Sequence, residues 1–251
     1  ARQQAEATTG GRQAWAHKRE SRLAERLERR IVASFDSVIA VSDQDARLLG
    51  TRVAVVPNGV DVERFSVTPL PRAARVVMTG TLGYLPNVDG IHWLVSEVWP
   101  RVRQVIPEAT LELVGKDPFP TVAALEGRDG VRVIADVPEI GPYLRRARVA
   151  VVPLRIGSGT RLKALDAMAA GRPVVGTAIG LEGLNIRDGR EAIVADDPES
   201  FANAVVALLR DDDLAQRLVA AGRAFVEENH DWARIGDVFA AHVIGLSGAP
   251  A

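Results

Sequence analysis

The chain has 251 residues, 47% apolar and 25% charged, which fits a soluble globular protein of one large domain or one and a half. Its net charge of −1 excludes a strongly basic nucleic-acid binder, and the absence of cysteine excludes a disulfide framework and a cysteine-based metal site, in keeping with a cytoplasmic setting. No apolar run approaches the ~18 residues of a membrane-spanning helix, and no signal peptide is visible.

The chain begins at Ala1 rather than methionine, so a missing upstream segment is expected. Residues 12–34 read as a long charged helix, with Leu23, Leu27 and Ile31 at four-residue spacing. Ser37–Val41 reads as a short buried strand, Ser42 as an N-cap and Asp43–Leu49 as a short helix. The strand Val53–Val56 then opens a run of alternating elements. Strands are predicted at 75–79, 110–114, 131–134, 149–152, 173–176 and 192–194. Helices are predicted between them at 87–105, 119–127, 138–147 and 160–170, with more at 198–210, 213–228 and 231–244. Such alternation specifies an α/β fold with a doubly wound parallel sheet. Ser247–Ala251 reads as a disordered tail.

The segment from Val149 to Val175 carries the most chemistry. An apolar run, Val149–Val152, leads into Gly157-Ser158-Gly159-Thr160, then a helix, a stop at Gly171 and a second apolar run. This is a parallel βαβ unit with an anion-receptive loop. A helix N-terminus leaves its first N–H groups unpaired and carries partial positive charge, which suits a phosphate. Gly157 and Gly159 allow close backbone approach, and Ser158 and Thr160 add hydroxyl donors; read more plainly, either hydroxyl caps a helix. Lys163 and Asp166 share one helix face. A carboxylate able to accept ribose hydroxyls thus stands beside a cation able to hold a diphosphate. Three lysines stand against twenty-eight arginines, which hints at a need for a compact point charge where lysine is kept. Lys116 and Lys163 both follow predicted strands, on the edge where open parallel sheets bind ligands.

These residues resemble the donor-site signature of the retaining, GT-B-fold glycosyltransferases of family four, the glycosyl transferases group 1. That signature is a glutamate, seven residues, a second glutamate, then Ala-Met-Ala-x-Gly-x-Pro-Val-Val. Asp166 stands at the second glutamate and Ser158 at the first. Val55-Val56-Pro57-Asn58-Gly59-Val60-Asp61 with Phe65 resembles the family's interdomain crossover. Thr79-Gly80-Thr81-Leu82 resembles its first glycine loop, and Val114-Gly115-Lys116-Asp117-Pro118 its next strand end. Arg155-Ile156, the run from Gly157 to Lys163, and Gly180-Leu181-Glu182-Gly183-Leu184 match a bacterial subgroup.

The resemblance implies a Rossmann-like sheet, the C-terminal lobe of a GT-B fold. It implies a remnant of an N-terminal acceptor domain over 1–50, a nucleotide-sugar donor-binding domain over 51–228, and a C-terminal crossover helix and tail over 229–251. The implied reaction moves a sugar with retention from a nucleotide sugar to an acceptor, which is a sugar, a glycolipid or a polysaccharide intermediate. Neither a metal nor another cofactor is expected. The helix N-terminus at Gly159-Thr160, with Arg155, Arg161 and Lys163, would meet the leaving diphosphate, Arg161 and Lys163 being the catalytic candidates. Gly80, Thr81, Lys116, Gly157 and Ser158 would border the donor, Asp166 would hold the ribose, and the backbone at Asp136-Val137-Pro138 would face the base. A missing N-terminal domain or partner subunit is implied as well. The alternatives are a non-catalytic nucleotide-sugar-binding subunit and a sugar-nucleotide epimerase of the same fold.

Two departures from the family pattern stand out. Ser158 replaces a glutamate that commonly touches the donor sugar, and the Arg and Lys usual after the first glycine loop are absent from Leu82–Gly90. Asp196-Asp197 and Asp211-Asp212-Asp213 each precede a predicted helix, so capping accounts for them better than a metal site. His17, His92, His230 and His242 lie far apart, without metal-ligand spacing. The helix from Arg12 to Arg30 carries seven basic residues against three glutamates. A basic helix of this kind can lie on the inner membrane face, although an apolar stripe facing another domain is the simpler reading.

Overall fold

Val149-Ala150-Val151-Val152 contains no polar residue and all four side chains are buried, as a strand covered on both faces requires. In the computed structural model this strand lies inside a six-stranded parallel sheet. The structure describes residues 11–50, 53–157 and 161–247. The chain packs as two compact units, one of Ala1–Pro57 with Asp237–Ala251 and one of Asn58–Gly236.

The first unit holds α1 (Gly11–Ser34), β1 (Val38–Ala40), α2 (Asp43–Leu49) and β2 (Val53–Val55). Ser42 caps α2 as expected, its hydroxyl accepting from the Asp45 N–H at 3.1 Å. The strand expected to open the alternating run does not join the large sheet. It pairs in parallel with β1, Val38 opposite Val53. Leu23, Leu27 and Ile31 form the exposed stripe of α1. No described helix is long and apolar enough to cross a membrane.

The second unit contains β3 (Arg75–Thr81), β4 (Thr110–Lys116), β5 (Val131–Ala135), β6 (Val149–Val152), β7 (Val174–Gly176) and β8 (Ile193–Val194). Their order across the sheet is β5-β4-β3-β6-β7-β8, all parallel, so the expected doubly wound sheet is present. Alternation along β3 divides the core. Val76 and Met78 join one apolar cluster with Trp93, Trp99 and Phe201, while Val77 joins the other with Leu144, Leu165 and Met168. The helices are α3 (Leu85–Trp93), α4 (Trp99–Val105), α5 (Pro120–Ala123), α6 (Gly141–Arg146), α7 (Leu162–Ala169), α8 (Pro198–Arg210) and α9 (Asp212–Asn229). A last helix, α10 (Trp232–Ser247), begins in this unit.

The single helix expected over 87–105 is interrupted by a π segment, Leu94–Val98. Pro100, in the first turn of α4, has no N–H to give to the turn before it, and the backbone widens there. Helix α6 starts at Gly141, three residues after its expected start.

Three arginines fasten the segment after Asn58 to the rest of the second unit. Arg148 donates to Pro71 O and Leu208 O, both at 3.1 Å. Arg172, only 1% exposed, donates to Ala147 O at 3.1 Å, Ala170 O at 3.2 Å and Thr68 O. Arg223 reaches Phe65 O at 3.1 Å and Val62 O at 3.3 Å. Burial lowers the Arg172 guanidinium to about 10. Arginine suits such a seam because its fork satisfies several carbonyls at once.

Candidate functional site

The chain runs outward from β3 through β4 to β5, then returns to lay β6, β7 and β8 on the other side of β3. Open parallel sheets form a crevice at such a reversal, beyond the carboxyl ends of the strands. A cavity of about 510 Å³ occupies that place here.

Its floor is set by two glycines. Gly80 and Gly115 are register partners at the ends of β3 and β4, and a Cβ on Gly115 would fall 1.6 Å from Gly80 O. Both strands then end at residues that line the cavity, Thr81 and Lys116. Beyond them Asp117 (φ 49°) and Asp136 (φ 53°) adopt left-handed backbone, and Asp136 Oδ1 accepts from Asp117 N–H at 3.2 Å. Aspartate tolerates that region better than most residues, and non-glycine residues held there cluster at binding sites. After this turn Val137, Pro138, Glu139 and Ile140 form one wall.

The opposite wall is α7. Ala164, Leu165, Ala167 and Met168 are buried against the sheet, which turns Lys163 and Asp166 toward the cavity. Lys163 Nζ donates to Asn87 Oδ1, and Asn87 Nδ2 donates to Thr81 O at 2.7 Å. Burial, with Arg161 nearby, pushes the Lys163 ammonium down to about 8. Burial raises the Asp166 carboxyl to about 6, against the opposing effect of Arg64. Arg64, Lys116, Arg161 and Lys163 give the cavity four cations against Glu139 and Asp166. That balance suits an anion, with a carboxylate at one side able to accept hydroxyl donors.

The site residues expected from sequence divide into three groups. Gly80, Thr81, Lys116, Val137, Arg161, Lys163 and Asp166 come together around the cavity. Arg161, however, directs its guanidinium at protein: Ile179 O at 2.8 Å, Gly157 O at 3.1 Å and Glu182 at 3.4 Å. Burial lowers its pKa and Glu182 opposes that. Arg155 is not among the residues lining the cavity. It forks onto Asp89 at 3.0 and 2.7 Å, and that hydrogen-bonded pair raises its pKa. Gly157 (φ 119°) also lies off the lining, its Cβ position 3.4 Å from Pro86. Ser158, Gly159 and Thr160 lie outside the described residues, as do 248–251 of the expected tail.

Arg64, Tyr84, Asn87 and Glu139 line the cavity without having been singled out. Asn87 left a trace in sequence: asparagine is a poor helix former and here stands directly after Pro86 in the first turn of α3. Arg64 left none among twenty-eight arginines. The aspartate runs are occupied structurally. Asp197 accepts from Glu199 and Ser200 N–H at 3.0 and 2.9 Å, Asp211 from Leu214 N–H at 2.9 Å, and Asp196 from Ala178 N–H at 2.8 Å. Three histidines bind protein atoms: His92 meets Thr121, His230 meets Asn58 O and His242 meets Ser37.

The family model described as glycosyl transferases group 1 matches residues 73–211. A phosphatidyl-myo-inositol mannosyltransferase of Mycobacterium leprae is 31% identical over 208 residues, covering 77% of this chain and 55% of that one. A glycogen synthase of Mycobacterium tuberculosis is 30% identical over 248 residues, covering 90% and 58%. The chain therefore spans about half the length of these curated relatives. Among solved structures, Anabaena HepE in complex with UDP-glucose superposes with a TM-score of 0.73 at 16% identity, over 88% of this chain and 67% of that one. The second unit shares the Rossmann-like, C-terminal-domain architecture of GT-B glycosyltransferases.

Proposed function

Because the chain belongs to the glycosyl transferases group 1 family, we propose that its second unit binds a nucleotide-sugar donor and takes part in transferring the sugar to an acceptor. The observation that carries this reading is Lys163 and Asp166 on one face of α7, at the strand-order reversal, in a cavity of about 510 Å³. In this reading Asp166 accepts the ribose hydroxyls, and the base lies against Val137 and Pro138. Lys163, with Lys116 and Arg64, faces the diphosphate. A sugar departing from a nucleoside diphosphate leaves its bonding electrons on phosphate oxygen, so fixed positive charge there lowers the barrier. Arg161 acts through the loop it holds by Gly157 O and Ile179 O.

Retention of configuration enters from the family resemblance. The acceptor we assign to a second lobe or subunit, since a reaction centre between lobes needs one to hold the attacking hydroxyl. The acceptor class is a sugar, glycolipid or polysaccharide intermediate, and contact with a membrane surface belongs to the same proposal.

A thermal-shift titration with UDP and GDP tests the donor site. At one hundred times its dissociation constant, a ligand of the folded state alone stabilises it by about 2.7 kcal/mol. Stabilisation is expected to persist in a chelator and to weaken with salt, because cationic side chains meet the phosphates. Absence of any shift with either nucleotide, or strict dependence on added magnesium or manganese, would overturn this arrangement.

A further inference from the structure

Lys163 is held in an unusual way. Its side chain is partly buried, yet among the described residues it forms no salt bridge, and the acceptor it meets is the neutral amide of Asn87. Asn87 is itself 4% exposed, and both ends of its amide are used. Nδ2 donates to Thr81 O at 2.7 Å, which fixes Oδ1 toward the ammonium; the flipped amide would set N–H groups against N–H groups. Gly80 leaves room for the pair, since a Cβ there would stand 3.1 Å from Asn87 Nδ2 and 3.4 Å from Lys163 Nζ. The charged or titratable groups sharing the cavity with Lys163 are Arg161 and Asp166 from its own segment, Arg64, Tyr84, Lys116 and Glu139.

We propose that Asn87 is a positioning residue, which aims the Lys163 ammonium at the anionic part of the donor while leaving its charge uncancelled. The proposal rests on the donor-site reading above. A carboxylate in place of Asn87 would hold the ammonium more strongly, but it would neutralise the charge a diphosphate needs. A neutral acceptor fixes direction and takes one of three N–H donors, so two remain for phosphate oxygens. By bonding Thr81 O as well, Asn87 ties that direction to the end of β3, which borders the same cavity.

The rarity of lysine makes the test direct. With three lysines in the chain, lysine labelled with carbon-13 at Cε gives three signals by NMR, and loss of one in Lys163→Ala assigns it. The Lys163 signal is expected to titrate near 8 in the unsubstituted chain. Asn87→Ala removes an acceptor that favours the charged form, so the midpoint falls; Asn87→Asp raises it. Circular dichroism confirms that both variants fold. UDP and GDP affinities are measured alongside at pH 6 and pH 8. Asn87→Ala is expected to weaken the tighter of the two several-fold at pH 8, and less at pH 6 where the ammonium is protonated regardless. Asn87→Asp is expected to weaken it at both. A purely structural asparagine would leave the Lys163 midpoint in place. Unchanged midpoints and affinities in both variants, in a chain that does respond to Lys163→Ala, overturn the role of Asn87 alone. Diphosphate affinity indifferent to Lys163→Ala overturns the donor-site reading and this proposal with it.

Discussion

Replacing Gly115 by alanine is expected to cost the second unit about 4 kcal/mol or more, at the upper end of what single substitutions do. The added Cβ would fall 1.6 Å from Gly80 O and 2.7 Å from Gly80 C, both backbone atoms, so no side-chain rotation relieves the overlap. The strands β3 and β4 would have to part at the end that lines the cavity, where Thr81 stands opposite Lys116. Gly189→Ala is the matching control. That glycine has φ 72° but open space around it, so the substitution carries only the roughly 1–2 kcal/mol of a left-handed residue. Denaturant titration of both variants separates steric overlap from backbone preference. Equal losses in the two would mean that the sheet edge can yield at Gly115.

The affinity for nucleoside diphosphate is expected to be highest between about pH 6 and about pH 8. Lys163 carries its charge below about 8 and loses it as pH rises through that value. Asp166 carries its charge above about 6 and loses it as pH falls through that value. Both groups are charged together only in the window between. Lys163→Ala is expected to weaken binding roughly 10- to 150-fold, the equivalent of a hydrogen bond worth about 1.5–3 kcal/mol to a charged group. The loss is largest below pH 8 and shrinks at higher pH. Asp166→Asn is expected to show the mirror image, with its loss confined to pH above 6. Calorimetric affinities taken as ratios to the unsubstituted chain cancel the titration of the diphosphate itself. A ratio for Lys163→Ala that stays constant up to pH 10 would remove the ammonium from the site.

The parts of this architecture legible in sequence were those fixed by local rules. The six strands of the large sheet were readable because each is a mainly apolar segment bounded by turns, and β6-α7-β7 because a glycine loop and a glycine stop frame one amphipathic helix. Lys163 and Asp166 were readable together because helical spacing alone puts them on one face. What sequence could not supply were choices between equivalent partners far apart in the chain. Nothing local says that Arg161 will spend its fork on Ile179 O and Glu182, or that Arg155 will meet Asp89, 66 residues earlier. Nor does a three-residue strand such as β2 declare whether it joins β1 or the large sheet. Asn87 showed only as an asparagine out of place in a helix; its role comes from two bonds, to Thr81 and Lys163, neither of which has a sequence signature.

The arginine seams also carry a kinetic consequence. Arg172 joins Thr68 across 104 residues and Arg223 joins Val62 across 161. Contacts of such long range close large loops, and parallel sheets are slow to assemble for the same reason. The segment from Asn58 to Pro71 can dock only once β6, α7 and α9 have made the surface that Arg148, Arg172 and Arg223 present. These bonds should therefore be absent from the folding transition state and fully formed in the native one. Arg172→Met is accordingly expected to accelerate unfolding while leaving the refolding rate nearly unchanged, a pattern readable from the two arms of a chevron plot. On that view the seams act as a latch on lifetime: they govern how long the finished sheet stays closed, and contribute little to how quickly it is built.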